Sequence, residues 1–164
     1  MKRIMLGIGD VVVSTEPVTL ETVLGSCVSV CLWNETSRIG GMNHYMLPEM
    51  IGQVKDPGCY GSEAIQRLID AFLMQGIDHR RLRAKVFGGG MVIKGFHQRF
   101  DVGKENVMIA RHILRRQGIP IITELTHNEY GIKVLFHSAT GRAFVKRLED
   151  FEPRQSISTL RTRE

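Results

Sequence analysis

Leu24-Gly25-Ser26-Cys27-Val28-Ser29-Val30-Cys31-Leu32-Trp33, then Asn34-Glu35-Thr36-Ser37, then Arg38-Ile39-Gly40-Gly41-Met42-Asn43-His44 is the stretch on which the reading turns. Its first part alternates: Val28, Val30 and Leu32 fall on one face, Cys27, Ser29, Cys31 and Trp33 on the other. Period two marks a strand. The polar cluster Asn34–Ser37 is turn chemistry, so the segment reads as a hairpin. With Trp33 opposite Arg38, the guanidinium can stack on the indole. Counting back along that ladder sets Cys27 directly opposite His44, with Cβ atoms about 4.5–5.5 Å apart. A loop one residue longer or shorter would send the two to opposite faces.

A thiol beside an imidazole on a partly polar face points to a nucleophile and its base. Gly25-Ser26, just before the thiol, lets backbone N–H groups approach a substrate oxygen. A free thiol has a pKa of about 8.5, and a neighbouring imidazolium would raise its thiolate fraction. Cys31 would face Gly40 with no base nearby and reads as packing, as does Cys59 in its Gly/Pro loop. Asn43 points away from Cys27 by parity and reaches His44 only through a backbone irregularity. Gly40-Gly41 suggests a close backbone approach beside the site. His79, His97, His112, His127 and His137 have no comparable context.

Outward from the hairpin, residues 4–14 carry the first strand in Val11-Val12-Val13, and Val18–Leu24 leads into the Cys27 strand. A loop covers Glu49–Tyr60. Ile65, Leu68, Ile69 and Phe72 give Ser62–Gln75 a helical stripe, with Ser62 as N-cap and Gly76 as stop. Leu82–Phe87 is a strand ending in Gly88-Gly89-Gly90. That triplet lacks P-loop followers and reads as a tight turn lining the same site. After a mixed loop at 94–103, Glu105–Gln117 forms a second helix, with Ile109, Ala110, Ile113 and Leu114 buried and Gly118 as stop. Strands at 119–126, 131–137 and 142–148 follow, joined by hairpin turns at 127–130 and 138–141. Seven or eight strands and two helices make an α+β layered sandwich, mostly antiparallel, with both helices on one face. One domain over 1–148 and a polar tail over 149–164 are expected.

Of the 164 residues, 43% are hydrophobic and 24% charged, as in an ordinary soluble domain. No apolar run reaches the ~20 residues of a membrane span. The N-terminal apolar run is too short for a signal peptide, so a cytoplasmic protein is expected. Three cysteines do not make a disulfide framework, and no paired Cys or His spacing suggests zinc. The net charge of +5 suits nucleic acid or an acidic protein equally. With an aromatic content of 7% and no basic interleaving, nucleic-acid binding rests on net charge alone and is the least favoured reading.

Leu24-Gly25-Ser26-Cys27-Val28 with Gly40-Gly41-Met42-Asn43-His44-Tyr45-Met46-Leu47-Pro48 resembles the CheD family of chemoreceptor glutamine deamidases. Lys85-Val86-Phe87-Gly88-Gly89-Gly90 and Val102-Gly103-Lys104-Glu105-Asn106-Val107 resemble its mid-chain and second-helix motifs. The resemblance implies an α/β/β layered fold related to bacterial toxin deamidases. It also implies hydrolysis of selected glutamines of methyl-accepting chemotaxis receptors to glutamate, with release of ammonia. Cys27 would be nucleophile and His44 general base and acid. Thr22 would be the third active-site residue, with Glu21 in the neighbouring register. Gly25, Ser26, Asn43 and Gly89 would line the oxyanion or substrate site. No metal or cofactor is implied, and a monomer is expected. A receptor methyl ester could be hydrolysed through the same acyl-enzyme. The alternative is an adaptor that binds a CheC-type phosphatase, against which the intact Cys27 and His44 argue. His127-Asn128-Glu129-Tyr130-Gly131 departs from the family's late glycine-rich motif.

Overall fold

The alternation around Cys27 serves two hydrophobic layers in the computed structural model, which describes residues 1–49, 56–91 and 101–148. Among these residues the strands are β1 (Lys2–Met5), β2 (Val11–Ser14), β3 (Val18–Leu24), β4 (Val28–Asn34), β5 (Ile39–Asn43), β6 (Arg83–Gly88), β7 (Ile121–Thr126), β8 (Ile132–His137) and β9 (Ala143–Arg147). The helices are α1 (Gly61–Met74) and α2 (Val102–Arg116). A five-stranded sheet runs β2-β5-β4-β6-β7, and a four-stranded sheet runs β1-β3-β8-β9. Val28, Val30 and Leu32 of β4 pack with Ile65, Leu68 and Phe72 of α1 and Val107, Ala110 and Leu114 of α2. On its other face Cys31 and Trp33 pack with Leu20, Leu24, Ile132, Val134 and Phe136 of the second sheet. The layers are therefore helices, sheet, sheet, and the α+β expectation with both helices on one side holds. Each fully buried Leu, Ile or Phe in these layers contributes about 1.5–3 kcal/mol.

The hairpin register differs from expectation by two residues. Trp33 opposes Gly40 and Asn34 opposes Ile39, so the loop is Glu35–Arg38 and Asn34 belongs to the strand. Asn34 closes the turn itself: its side chain accepts from Ser37 N at 2.8 Å, and its amide donates to Arg81 O at 3.0 Å. Arg38 takes a left-handed conformation (φ 58°) instead of stacking on the indole, and the cation over Trp33 is Lys85, 5.2 Å from the ring centroid. Because the shift is even, every side chain keeps its face.

Other boundaries moved for local reasons. β1, not anticipated, is a short edge strand parallel to β3, with Arg3 bonded to Glu21 at 2.8 Å. α1 begins at Gly61, and Ser62 is not its cap. Gly61 N and Ser62 N donate to Leu47 O (2.7 Å) and Pro48 O (3.2 Å), which satisfies the first-turn donors without a side chain. α2 begins earlier than expected because Asp101 caps it, accepting from Lys104 N at 3.1 Å. Gly103 therefore lies in the helix; residues 94–100 of the expected loop lie outside the described residues, as do 50–55 of the expected 49–60 loop and the 149–164 tail. The 127–130 segment is not a hairpin. β6–α2–β7 is a crossover that lays β7 parallel to β6, so the chain must change sheets to begin β8. The β8–β9 hairpin is as expected.

Candidate active site

Cys27 sits where the chain leaves the four-stranded sheet at Leu24 and enters the five-stranded sheet at Val28. The β4–β5 ladder ends at Cys31↔Met42 and resumes only as the bridge Val28↔Tyr45. Asn43 causes the gap: its Oδ1 accepts from Val30 N at 2.8 Å, where a backbone carbonyl would otherwise bond. On the edge facing away from β4, His44 N donates to Asp10 O at 3.1 Å and His44 O accepts from Gly9 N at 2.8 Å. Asn43 thus points away from Cys27, as its parity requires, and provides the backbone irregularity. Across the bridge Cys27 lies opposite Met46, so His44 is its diagonal rather than direct neighbour. Such diagonals span about 7–8 Å, within reach of a long side chain.

The second sheet supplies the partner of the imidazole. Val18, Leu20, Thr22 and Leu24 point inward from β3, and Thr22 is the polar member of that row. Thr22 Oγ1 lies 2.7 Å from His44 Nδ1 and 2.8 Å from Leu6 O. A carbonyl only accepts, so the single hydroxyl proton goes to Leu6 O. The ring must then donate from Nδ1 to the hydroxyl. This fixes the tautomer and leaves the Nε2 lone pair free. Nε2 is buried with no partner among the described residues. Glu21 faces the opposite side of β3, toward Arg3 and Lys133 (3.7 Å).

Burial governs both titrations. Desolvation pushes the half-buried Cys27 thiol up to about 11, its own backbone N–H opposes this, and the Cys59 thiol adds to it. Desolvation lowers the His44 pKa, against the Leu6 carbonyl and Asp10, which favour the cation. Both shifts disfavour an imidazolium–thiolate pair at rest.

The turn before β4 is braced from β6. Gly89 N donates to Cys27 O at 2.8 Å and Gly90 N to Gly25 O at 2.9 Å. Gly88 (φ 102°) and Gly89 (φ 66°) need glycine to wrap this carbonyl, and a Cβ on Gly88 would collide with Cys27 O. The Gly89 N–H is thereby committed, while the N–H groups of Ser26 and Cys27 have no acceptor among the described residues. Ser26 is exposed and Gly25 half-buried. Gly89 also lines a cleft of 430 Å³ with Met91, Asp101, Lys104, His127 and Glu129. A larger groove of 770 Å³ between α2 and β7 contains none of the site residues. The Gly40 approach is structural: it admits the Ser138 backbone of the β8–β9 turn, not a substrate.

Two contacts were not anticipated. Cys59 O accepts from Met46 N (2.9 Å) and Leu47 N (3.0 Å), holding the segment after His44. Asn106, from α2, bonds the chain on both sides of the site. Its signals in sequence are its polar side chain within an apolar helical stripe and its place in the Val102–Val107 motif. Among the described residues no three His, Cys, Asp or Glu side chains converge as metal ligands, and no helix is long and apolar enough to cross a membrane.

The family model for CheD chemotactic sensory transduction matches residues 46–147, more than half of the chain, beginning two residues past His44. A protein of Laribacter hongkongensis, named as a probable chemoreceptor glutamine deamidase CheD, is 37% identical over 89% of this chain and 72% of its own. One of Anaeromyxobacter dehalogenans with the same designation is 37% identical over 89% of this chain and 85% of its own. One of Xanthomonas campestris is 47% identical over 79% of this chain and 65% of its own. Among solved structures, a Neisseria meningitidis protein of the DUF152 family overlaps at TM-score 0.47 and 17% identity, over 82% of this chain and 62% of that one. The Bacillus licheniformis protein YfiH overlaps at TM-score 0.48 and 15% identity, over 83% and 60%. The chain spans about six-tenths of the length of these two structures.

Proposed function

The chain belongs to the CheD family, and from that membership we infer that it deamidates glutamine side chains of chemoreceptors through Cys27, His44 and Thr22. Cys27 Sγ attacks the amide carbon while its proton passes to His44 Nε2. The oxyanion takes N–H bonds from Ser26 and Cys27. As the tetrahedral adduct collapses, His44 returns the proton to the departing nitrogen and ammonia leaves, with a thioester remaining on Cys27. His44 then draws a proton from water, whose oxygen attacks the thioester carbon. Glutamate and the free thiol result. Amide and water are consumed; acid and ammonia are produced.

The observation that carries this reading is the buried Thr22–His44 bond of 2.7 Å, which leaves Nε2 without a partner among the described residues, on a residue whose strand parity matches that of Cys27. A structural histidine would have both nitrogens partnered. Cys27→Ala is expected to abolish ammonia release from receptor fragments and the Gln-to-Glu mass change at modified sites, with urea melting unchanged. Full activity in that variant would refute the reading. Cytoplasmic location, a monomeric state and competition between receptor and a CheC-type phosphatase complete the proposal. Size-exclusion chromatography and receptor competition with such a phosphatase test the last two.

A further inference from the structure

Asn106 is fully buried early in α2, and its Nδ2 donates to Ser26 O at 3.0 Å and Met46 O at 2.9 Å. Both partners can only accept, so the amide cannot be turned over: Nδ2 faces the strands and Oδ1 faces away. Ser26 immediately precedes the nucleophile, and Met46 lies across the bridge from it and two residues past the base. The Asn106 carbonyl also accepts from Tyr45 OH at 2.6 Å, and Tyr45, fully buried, directly follows His44. One residue of α2 therefore grips the chain before Cys27 and after His44. It does so where the backbone ladder between β4 and β5 has given way to the bridge Val28↔Tyr45. The grip leaves Oδ1 buried without a partner among the described residues, a cost that packing alone would not require.

We propose that Asn106 is a positioning residue: a clamp from α2 that sets the separation and alignment of Cys27 Sγ and His44 Nε2. It touches neither substrate nor reacting atoms and acts through the main chain of Ser26 and Met46. The proposal rests on the deamidase reading for its purpose, but the coupling it describes is measurable without a receptor. In the parent protein, alkylation of Cys27 by iodoacetamide, followed residue by residue by mass spectrometry, rises in two steps with pH. One step follows deprotonation of His44, which assists the thiol; the other follows the thiol itself.

Asn106→Asp keeps the side-chain volume and sets a carboxylate against two carbonyls. In that variant the His44 step disappears and only the thiol step remains, while Cys59 alkylation follows the parent curve. On receptor fragments kcat falls by about 10²-fold with KM little changed, the size expected of a misplacement near one ångström. A His44 step in both proteins, or in neither, overturns the clamp. Absence of ammonia release from the parent protein, with both of its alkylation steps present, would instead count against the deamidase reading. If Asn106→Asp does not fold, Tyr45→Phe, which removes only the hydroxyl bonded to Asn106 O, is read in the same assay. A smaller His44 step supports the clamp, and an unchanged one overturns it.

Discussion

At the scale of single residues, the chemistry depends on one hydroxyl proton. Thr22 can present an acceptor to His44 only because it spends its own hydrogen on Leu6 O. Thr22→Val keeps the shape and removes both bonds, leaving a buried carbonyl and a ring N–H unpaired. A stability loss of about 1–3 kcal/mol is expected from those orphaned groups. Deamidation should fall by about 10²-fold, the lower end of what a positioned general base contributes. Urea melts and ammonia release check the two parts separately, and unchanged activity would make Thr22 a packing residue. The His44 shift sets the acid limb. Its pKa is lowered from 6.5, and in the proposed mechanism the neutral ring is the active form, so kcat/KM should fall on acidification with a midpoint below 6.5. The same shift favours folding above 6.5, and that contribution is lost as pH falls through the lowered value. Thr22 was read from the sequence through family resemblance, since its contact crosses between sheets. A residue-level signal did exist, as the polar member of the Val18, Leu20, Thr22, Leu24 row.

At the scale of elements, patterns within one strand or helix were legible and pairings between them were less so. β4 declared its two faces, and α1 its buried stripe, because side-chain periodicity is a local property. The hairpin register was not legible, since Asn34 turns the chain with its own side chain. The Cys27–His44 face assignment survived only because the slip was even. β7 was mistaken for a hairpin arm because nothing in its pattern distinguishes a parallel partner from an antiparallel one. Gly40 illustrates a constraint between elements. Ser138 cannot withdraw, because its Oγ accepts from Val18 N and donates to Glu16 O, both at 3.0 Å. Gly40→Ala is therefore expected to destabilise by about 1–3 kcal/mol, as overpacking does. Activity per folded molecule should be retained, because the clash lies toward the loop end of the hairpin. A loss of activity exceeding the unfolded fraction would contradict this account.

At the scale of the whole molecule, burial of weak acids limits the alkaline side of stability. Cys27 is pushed up to about 11 and Cys31 to about 12 from 9.0, and the Tyr45 hydroxyl also lies well above its ordinary value. Groups whose folded pKa is raised favour folding below the unfolded value, and that contribution is lost as pH climbs through the folded one. Stability to urea should fall progressively between about pH 9 and 12. Cys31→Ala should flatten that fall, at the expense of some packing at lower pH. A parent curve without the decline would place these thiols in contact with water. One architectural feature carries a further consequence in time. Thr22 and His44 come from different sheets, and β3, which bears Thr22, is bordered by β8, which follows β6, α2 and β7 in the chain. A growing chain is thus expected to carry its thiol without an oriented imidazole beside it until β8 has docked on β3.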